Sequence, residues 1–194
     1  MKINKKFFKT NKSLPIDKFF YEVLYNKKYG YYNKKNPFEK KGDFITSPSV
    51  SFLFGEIIAI WIISVWKNLG SPKKFNIVEL GPGNGKLAET LIKTFKRFPI
   101  FYNSVSIFLD EKSIFLKKYQ KEILKNKKIK WVSNYKEVKK GPVIFIGNEF
   151  FDAIPIKQFQ KKKKLIKENF VQIDKNYNIK IIQHNASKKD IIKL

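Results

Sequence analysis

Two short segments of this chain carry residue types and spacings that could do chemistry. The first is Val78-Glu79-Leu80-Gly81-Pro82-Gly83-Asn84-Gly85-Lys86-Leu87, where an apolar run meets three glycines at alternate positions and then a helical pattern. Glycine lets a backbone turn sharply and approach a ligand that a Cβ would exclude. The helix start beyond it offers free N–H groups and a field that favours negative charge. Such a turn, Gly81, Gly83 and Gly85 together, holds part of a nucleotide or nucleoside at the carboxyl end of a sheet. The second segment is Gly147-Asn148-Glu149-Phe150-Phe151-Asp152-Ala153-Ile154-Pro155, directly after the apolar run from Val143. Glu149 and Asp152, acidic groups flanked by aromatics in a basic protein, suit a cationic substrate. A guanidinium there would be held by bidentate charge-assisted hydrogen bonds that orient one nitrogen.

Three ligand classes could use the glycine turn. A phosphate-cradling loop needs four residues between Gly and Gly-Lys, then Ser or Thr. Gly81 to Gly85 leaves three and Leu87 replaces the hydroxyl, so that reading fails. Gly83-x-Gly85-x-x-Ala88 has the form of the dinucleotide fingerprint, but it begins two residues late and is weakly specific alone. The third class is S-adenosylmethionine, whose methyltransferases favour an acidic residue in the first strand and a Gly-x-Gly turn. Glu79-Leu80-Gly81-Pro82-Gly83 suits it best. The next strand ends at Leu109-Asp110-Glu111, where a carboxylate can accept from both ribose hydroxyls. Glu111 follows Gly81 by 30 positions, beyond the roughly 20 of the dinucleotide fingerprint, which again favours a methyl donor. The chemistry would then be in-line methyl transfer, with no metal required. The plain structural alternatives are a solvated Glu111 capping the next helix, Asn148 and Asp152 as turn formers, and Phe150 and Phe151 as core. For the two phenylalanines core is the expectation.

These segments need elements to position them. From Phe75 the pattern alternates: strands over Phe75–Leu80, Val105–Leu109, Ile129–Val132 and Val143–Gly147, helices over about Lys86–Arg97 and Ser113–Lys125. That order predicts right-handed crossovers and an α/β fold, a parallel sheet with helices on both faces. Upstream, the spacing predicts a helix over Ile16–Tyr25, then a loop, then a second helix. Thr46-Ser47-Pro48-Ser49 announces that helix, and Phe52, Leu53, Ile57, Ile60, Trp61 and Val65 carry its apolar spacing. Downstream, Ile156–Phe159, Leu165–Ile173 and Tyr177–Ile182 predict an antiparallel ribbon with a turn at Asp174-Lys175-Asn176. The expected division is 1–72, a helical segment with a covering loop; 73–155, the α/β core; and 156–194, a β-ribbon. Four parallel strands make a thin sheet, so a sheet incomplete at the C-terminus is expected.

Composition removes several function classes. A net charge of +25, from 41 Lys+Arg against 16 Asp+Glu, would ordinarily point to nucleic acid or an anionic membrane. Arg97, however, is the only arginine, and alanine is scarce beside abundant Lys, Asn, Ile and Phe. That is the pattern of AT-rich coding drift on exposed positions, not of a site built from phosphate or guanine forks, so no specific nucleic-acid partner is expected. The absence of cysteine excludes a disulfide framework, a thiolate metal site and a Cys nucleophile. His184, the single histidine, leaves no His-based zinc centre. The longest apolar stretch, Ile57–Trp66, is about half a membrane span and reads as a buried helix. Met1–Thr10 is basic without an apolar signal-peptide core. The expected compartment is a bacterial cytoplasm, or the mitochondrial matrix in a eukaryote.

Tyr29-Gly30-Tyr31-Tyr32, Gly42-Asp43-Phe44-Ile45-Thr46-Ser47-Pro48, Phe54-Gly55-Glu56, the Val78–Gly83 block, Glu111-Lys112-Ser113 and Asn148-Glu149-Phe150-Phe151-Asp152-Ala153 occur in this order. Together they resemble the MidA-like class I methyltransferases, over about Leu14 to Val171. That family includes a mitochondrial arginine methyltransferase needed for respiratory complex I assembly. The resemblance implies a Rossmann-like class I methyltransferase sheet and S-adenosyl-L-methionine as donor. It also implies arginine N-methylation of a protein substrate, in the mitochondrial branch a complex I (NADH dehydrogenase) subunit. By motif position Glu79, Gly81, Gly83 and Glu111 would bind the cofactor, and Asn148, Glu149 and Asp152 would stand between donor and substrate as catalytic residues. The Gly42–Pro48 loop would close over the pocket, with Asp43 and Thr46 as its polar contacts. The chain departs from the pattern at Ser49, where the family usually has Glu, and at Asn84 and Lys86, where it often has Arg and Thr. It also ends earlier than family members do. The alternative expectation is a truncated, catalytically impaired remnant that acts as a protein-binding or assembly factor.

Overall fold

The computed structural model describes residues 13–34, 36–38, 42–138, 141–174 and 178–191. In chain order the elements are β1 (Leu14–Pro15), α1 (Ile16–Tyr25), α2 (Tyr31–Lys34), α3 (Ser47–Val50), α4 (Phe52–Asn68), β2 (Phe75–Leu80), α5 (Lys86–Phe95) and α6 (Pro99–Ser104). They continue with β3 (Val105–Asp110), α7 (Ile114–Ile123), β4 (Ile129–Val132), β5 (Val143–Ile146), β6 (Phe159–Lys162), β7 (Leu165–Ile173), β8 (Ile179–Asn185) and α8 (Lys188–Ile191). The chain forms two compact units, Tyr32–Asp152 and a second made of Met1–Tyr31 with Ala153–Leu194. These bounds differ from the expected cuts at 72 and 155. α4 packs on α5, which draws that stretch into the sheet unit, while β1 pairs with β7.

In the Tyr32–Asp152 unit four parallel strands lie in the order β4-β3-β2-β5. β2 is central, and its Phe75, Ile77 and Val78 are wholly buried, as a strand covered on both sides requires. Ile107, Ile129 and Ile144 stand in register with Ile77 across the sheet. This face packs on Ala59, Ile62 and Trp66 of α4, Leu91 and Phe95 of α5, and Phe101 of α6. Phe101 sits edge-on to Trp66, Phe75 and Phe95. On the other face Val143 and Phe145 of β5 stay 39% and 48% exposed, so the expected two-faced cover is not complete there.

The start signal around Pro48 builds the single turn α3, not the long helix. Ser51 is extended (φ −146°), and its hydroxyl accepts from Leu53 N–H to cap α4 separately. α4 is also less buried than expected: Ile57, Ile60 and Trp61 face outward while Ala59, Ile62, Ile63 and Trp66 face the core. α6, which the sequence pattern did not indicate, starts on Pro99 at its first position, where a missing N–H costs nothing. No described helix is long and apolar enough to cross a membrane.

In the second unit β7 is the middle strand. β8 runs antiparallel along one edge, and β6 and β1 share the other. The first ribbon strand is Phe159–Lys162, three residues later than expected. The two-residue turn Lys163-Lys164, with Lys163 at φ +54°, sets the register against Leu165 and leaves Ile156 outside. The third strand is Ile179–Asn185; Lys175, Asn176 and Tyr177 of the expected turn and strand lie outside the described residues.

Candidate active site

From β2 the chain moves outward to β3 and β4, then returns to β5 on the other side of β2. Open α/β sheets bind ligands at the carboxyl ends of strands where the order reverses in this way. The glycine turn follows β2 and the acidic segment follows β5, so the topology sets them side by side. They touch: a Cβ built at Gly81 would lie 2.9 Å from the Phe150 ring.

All three glycines of the turn are left-handed, at φ +62°, +56° and +75° for Gly81, Gly83 and Gly85. A side chain is strained in that region, and at Gly83 it would also meet the Phe38 ring at 3.1 Å. Gly81 N–H donates to Asp110 O at 3.0 Å, and Gly85 N–H to Pro82 O at 2.8 Å. Asn84 Nδ2 donates to Phe38 O and Ser49 Oγ, both at 3.2 Å, while Asn84 Oδ1 accepts from Lys86 N–H at 3.1 Å. Phe38 packs between Tyr32 and Phe44, centroids 6.3 and 6.1 Å away. Of the two expected loop contacts, Thr46 reaches the turn through Ser49 (Oγ1···Oγ 3.3 Å), and Asp43 is exposed. Ser49 and Asn84, two of the departures from the family pattern, are thus bonded to each other.

Beneath the turn lie two buried acids. Glu79 is 3% exposed and its Oε2 has no hydrogen-bond partner among the described residues. Burial, and then the charge of Glu111, push its carboxyl up to about 8. Glu111 is also buried, not solvated: Oε1 accepts from Ser113 N–H at 2.8 Å and Oε2 from the Gln120 amide at 3.1 Å. Burial raises its carboxyl above the ordinary range, against the opposing pull of these donors and the backbone N–H groups of Gly83 and Lys112. Ser113 caps α7 through Leu116 N–H and donates from Oγ to Tyr32 O at 2.6 Å. The capping role considered for Glu111 therefore belongs to Ser113.

The acidic segment is open. Glu149 and Asp152 are exposed, Asn148 is half-buried, and neither carboxylate has a hydrogen bond or ion pair among the described residues. Glu149 sits at φ +52°, a conformation that costs a non-glycine residue and is concentrated at functional sites. Phe150 is half-buried against Gly81 and Gly147, but Phe151 is 80% exposed, which corrects the expectation that both are core. Tyr32 was outside the expected site. Its phenol is raised by burial, then by the charges of Glu111 and Asp152, so it stands within reach of both acidic regions. Gln120 was missed as well. No sequence signal marks it: only the docked helix buries it, with Leu116 four positions earlier, on an otherwise polar helix.

The family model described as "Putative S-adenosyl-L-methionine-dependent methyltransferase" matches residues 57–193. The mitochondrial protein arginine methyltransferase NDUFAF7 of Xenopus tropicalis is 34% identical, over 89% of this chain and 46% of its own length. The Homo sapiens protein of that name is 32% identical over 89% of this chain and 45% of its own. The chain thus spans about half the length of the curated relatives it matches. A crystal structure of a "likely methyl transferase" from Burkholderia thailandensis, bound to S-adenosyl-homocysteine, superposes with a TM-score of 0.73 at 24% identity. It covers 93% of this chain and 48% of that one. A second structure from the same organism gives 0.69. These two establish the fold: an α/β methyltransferase-type sheet.

Proposed function

This chain belongs to the S-adenosyl-L-methionine-dependent methyltransferase family, and from that premise we propose that it methylates an arginine side chain of a protein. The observation that carries the reading is the meeting of the glycine turn and the Asn148–Asp152 segment at the switch between β2 and β5. The residues beneath the turn fit a cationic adenosine-bearing donor. Glu79 presents a buried oxygen without a partner among the described residues, and Glu111 is a buried carboxylate with its two short hydrogen bonds spread over both oxygens. When bound, S-adenosylmethionine supplies an electrophilic methyl on a sulfonium.

On this reading Glu79, Gly81, Gly83, Gly85 and Glu111 hold the donor, and Asp43 and Thr46 belong to the segment that covers it. Glu149 and Asp152 bind the guanidinium, present one nitrogen lone pair to the methyl and draw away the proton that nitrogen loses; Asn148 orients the group. Two exposed carboxylates, unpaired among the described residues, are ready for such a cation without first breaking an internal bond there. The relatives are named as mitochondrial protein arginine methyltransferases. From these names we infer a protein substrate, and from the resemblance described above we propose that it is a respiratory complex I subunit, in the mitochondrial matrix or the bacterial cytoplasm.

Calorimetric titration of the full chain with S-adenosylmethionine, with NAD as control, tests the donor. Transfer of labelled methyl to arginine peptides tests the acceptor. Binding of the donor alone, with label on arginine, supports the proposal. Preference for NAD, or a folded chain that binds neither, sinks it. Donor binding without transfer would favour the remnant that acts only by binding.

A further inference from the structure

Gln120 lies on α7 with no exposed surface, and its amide is divided among three segments. Nε2 donates to Gly83 O at 2.8 Å and to Glu111 Oε2 at 3.1 Å; Oε1 accepts from Trp131 Nε1–H at 3.0 Å. Its Cγ lies 3.6 Å from the Cβ position of Gly85, so the side chain also underlies the end of the turn. One residue therefore links the glycine turn, the carboxylate after β3 and the indole of β4.

An amide is the group these partners require. Two N–H donors face a carbonyl and a carboxylate, and one oxygen faces an N–H. An apolar residue of the same volume would fill the space but take the amide's bond from a buried carbonyl, a carboxylate oxygen and an indole N–H. A carboxylate would add a like charge against Glu111, whose own field already reaches Glu79. On the β4 side, Lys121 Nζ stands 5.7 Å from the Trp131 ring.

We infer that Gln120 is a positioning residue of the donor site, holding Glu111 and Gly83 at the separation a ribose diol needs. The inference rests on the donor reading above. Ser113 N–H holds Oε1 of Glu111 and Gln120 holds Oε2, beside the backbone N–H groups of Gly83 and Lys112. Gln120 keeps the second oxygen in place without contributing charge.

The test is S-adenosylhomocysteine binding by the full chain, measured calorimetrically at about pH 5.5 and about pH 8, for wild type, Gln120→Glu and Gln120→Met. Gln120→Glu keeps the shape and the acceptor for Trp131. Ionised, it opposes Glu111 and Gly83 O; protonated, it regains one donor. Relative to wild type at each pH, Gln120→Glu is expected to bind at least about tenfold more weakly at the higher pH and to recover most of that at the lower. Gln120→Met is expected to be equally weakened at both. A Gln120→Glu ratio that does not change with pH overturns the inference and leaves the donor reading standing, provided wild type binds. A folded wild type that does not bind overturns the donor reading and the inference together. If Gln120→Met does not fold, the Gln120→Glu ratio decides alone.

Discussion

Asn84 Nδ2 lies 3.2 Å from Ser49 Oγ, so the apex of the glycine turn is tied by its own side chain to the segment that precedes α4. The same amide reaches Phe38 O, whose ring covers Gly83. Asn84 and Ser49 thus form one neutral hydrogen-bonded pair across the two segments.

Asn84→Ala removes that tether together with the acceptor for Lys86 N–H. The expected cost is about 1–2 kcal/mol, with faster amide exchange across residues 42–50. Ser49→Ala removes one exposed partner and should cost under about 0.5 kcal/mol. Denaturant unfolding and hydrogen exchange check both, and equal effects from the two variants would contradict the tether.

Gly83→Val combines a β-branched residue at φ +56° with a clash against the Phe38 ring at 3.1 Å. We expect a loss of roughly 2 kcal/mol or more in stability. Donor affinity should fall at least about tenfold, because the turn must open to relieve the clash. Calorimetry with a parallel thermal melt separates the two effects.

Glu79 should make the free chain less stable as pH rises. Its carboxyl is pushed up to about 8 from an unfolded value of 4.5, so the folded state holds the extra proton between those values. The contribution is fully present below about 4.5, declines on the way up and is gone above about 8. Glu111, also raised, acts in the same direction. Glu89, lowered by Lys93 and Lys86, acts oppositely, but only as pH falls below the ordinary carboxylate range. Glu79→Gln should flatten the decline and raise Tm most at the alkaline end while weakening donor binding. Melts across neutral pH check it, and an unchanged slope would remove Glu79 as the source.

Glu149→Gly should move stability and activity apart. Removing the side chain at φ +52° relieves strain of about 1 kcal/mol, and the same change removes one proposed guanidinium ligand. Asp152→Asn should keep donor affinity and reduce methyl transfer by about a hundredfold or more. Single-turnover transfer beside a donor titration distinguishes these outcomes from misfolding.

The strands Phe75–Leu80 and Ile129–Val132 were legible because each is a mostly apolar segment closed by breakers, and burial on the sheet does not move such bounds. α4 was legible in existence but not in its start, since Ser51 and not Ser49 turns out to be extended and free to cap. Phe151 was misjudged because period alone cannot say which of two adjacent aromatics the turn after β5 directs inward. Gln120 was invisible as a site residue, since a glutamine on a lysine-rich helix reads as solvated until the helix docks.

By itself the sequence determined which chemistry-bearing segments exist, in what order, and that strands joined by helices would run parallel. Those properties follow from local pattern and chain connectivity. Only the tertiary structure decided that β5 returns beside β2, bringing the acidic segment against the glycine turn. It alone decided that Glu79 and Glu111 are buried, that Ser113 and not Glu111 caps α7, and that Gln120 joins three segments. Desolvation and the saturation of hydrogen bonds depend on what surrounds a residue, and residues from Tyr32 to Asp152 supply those surroundings only once folded.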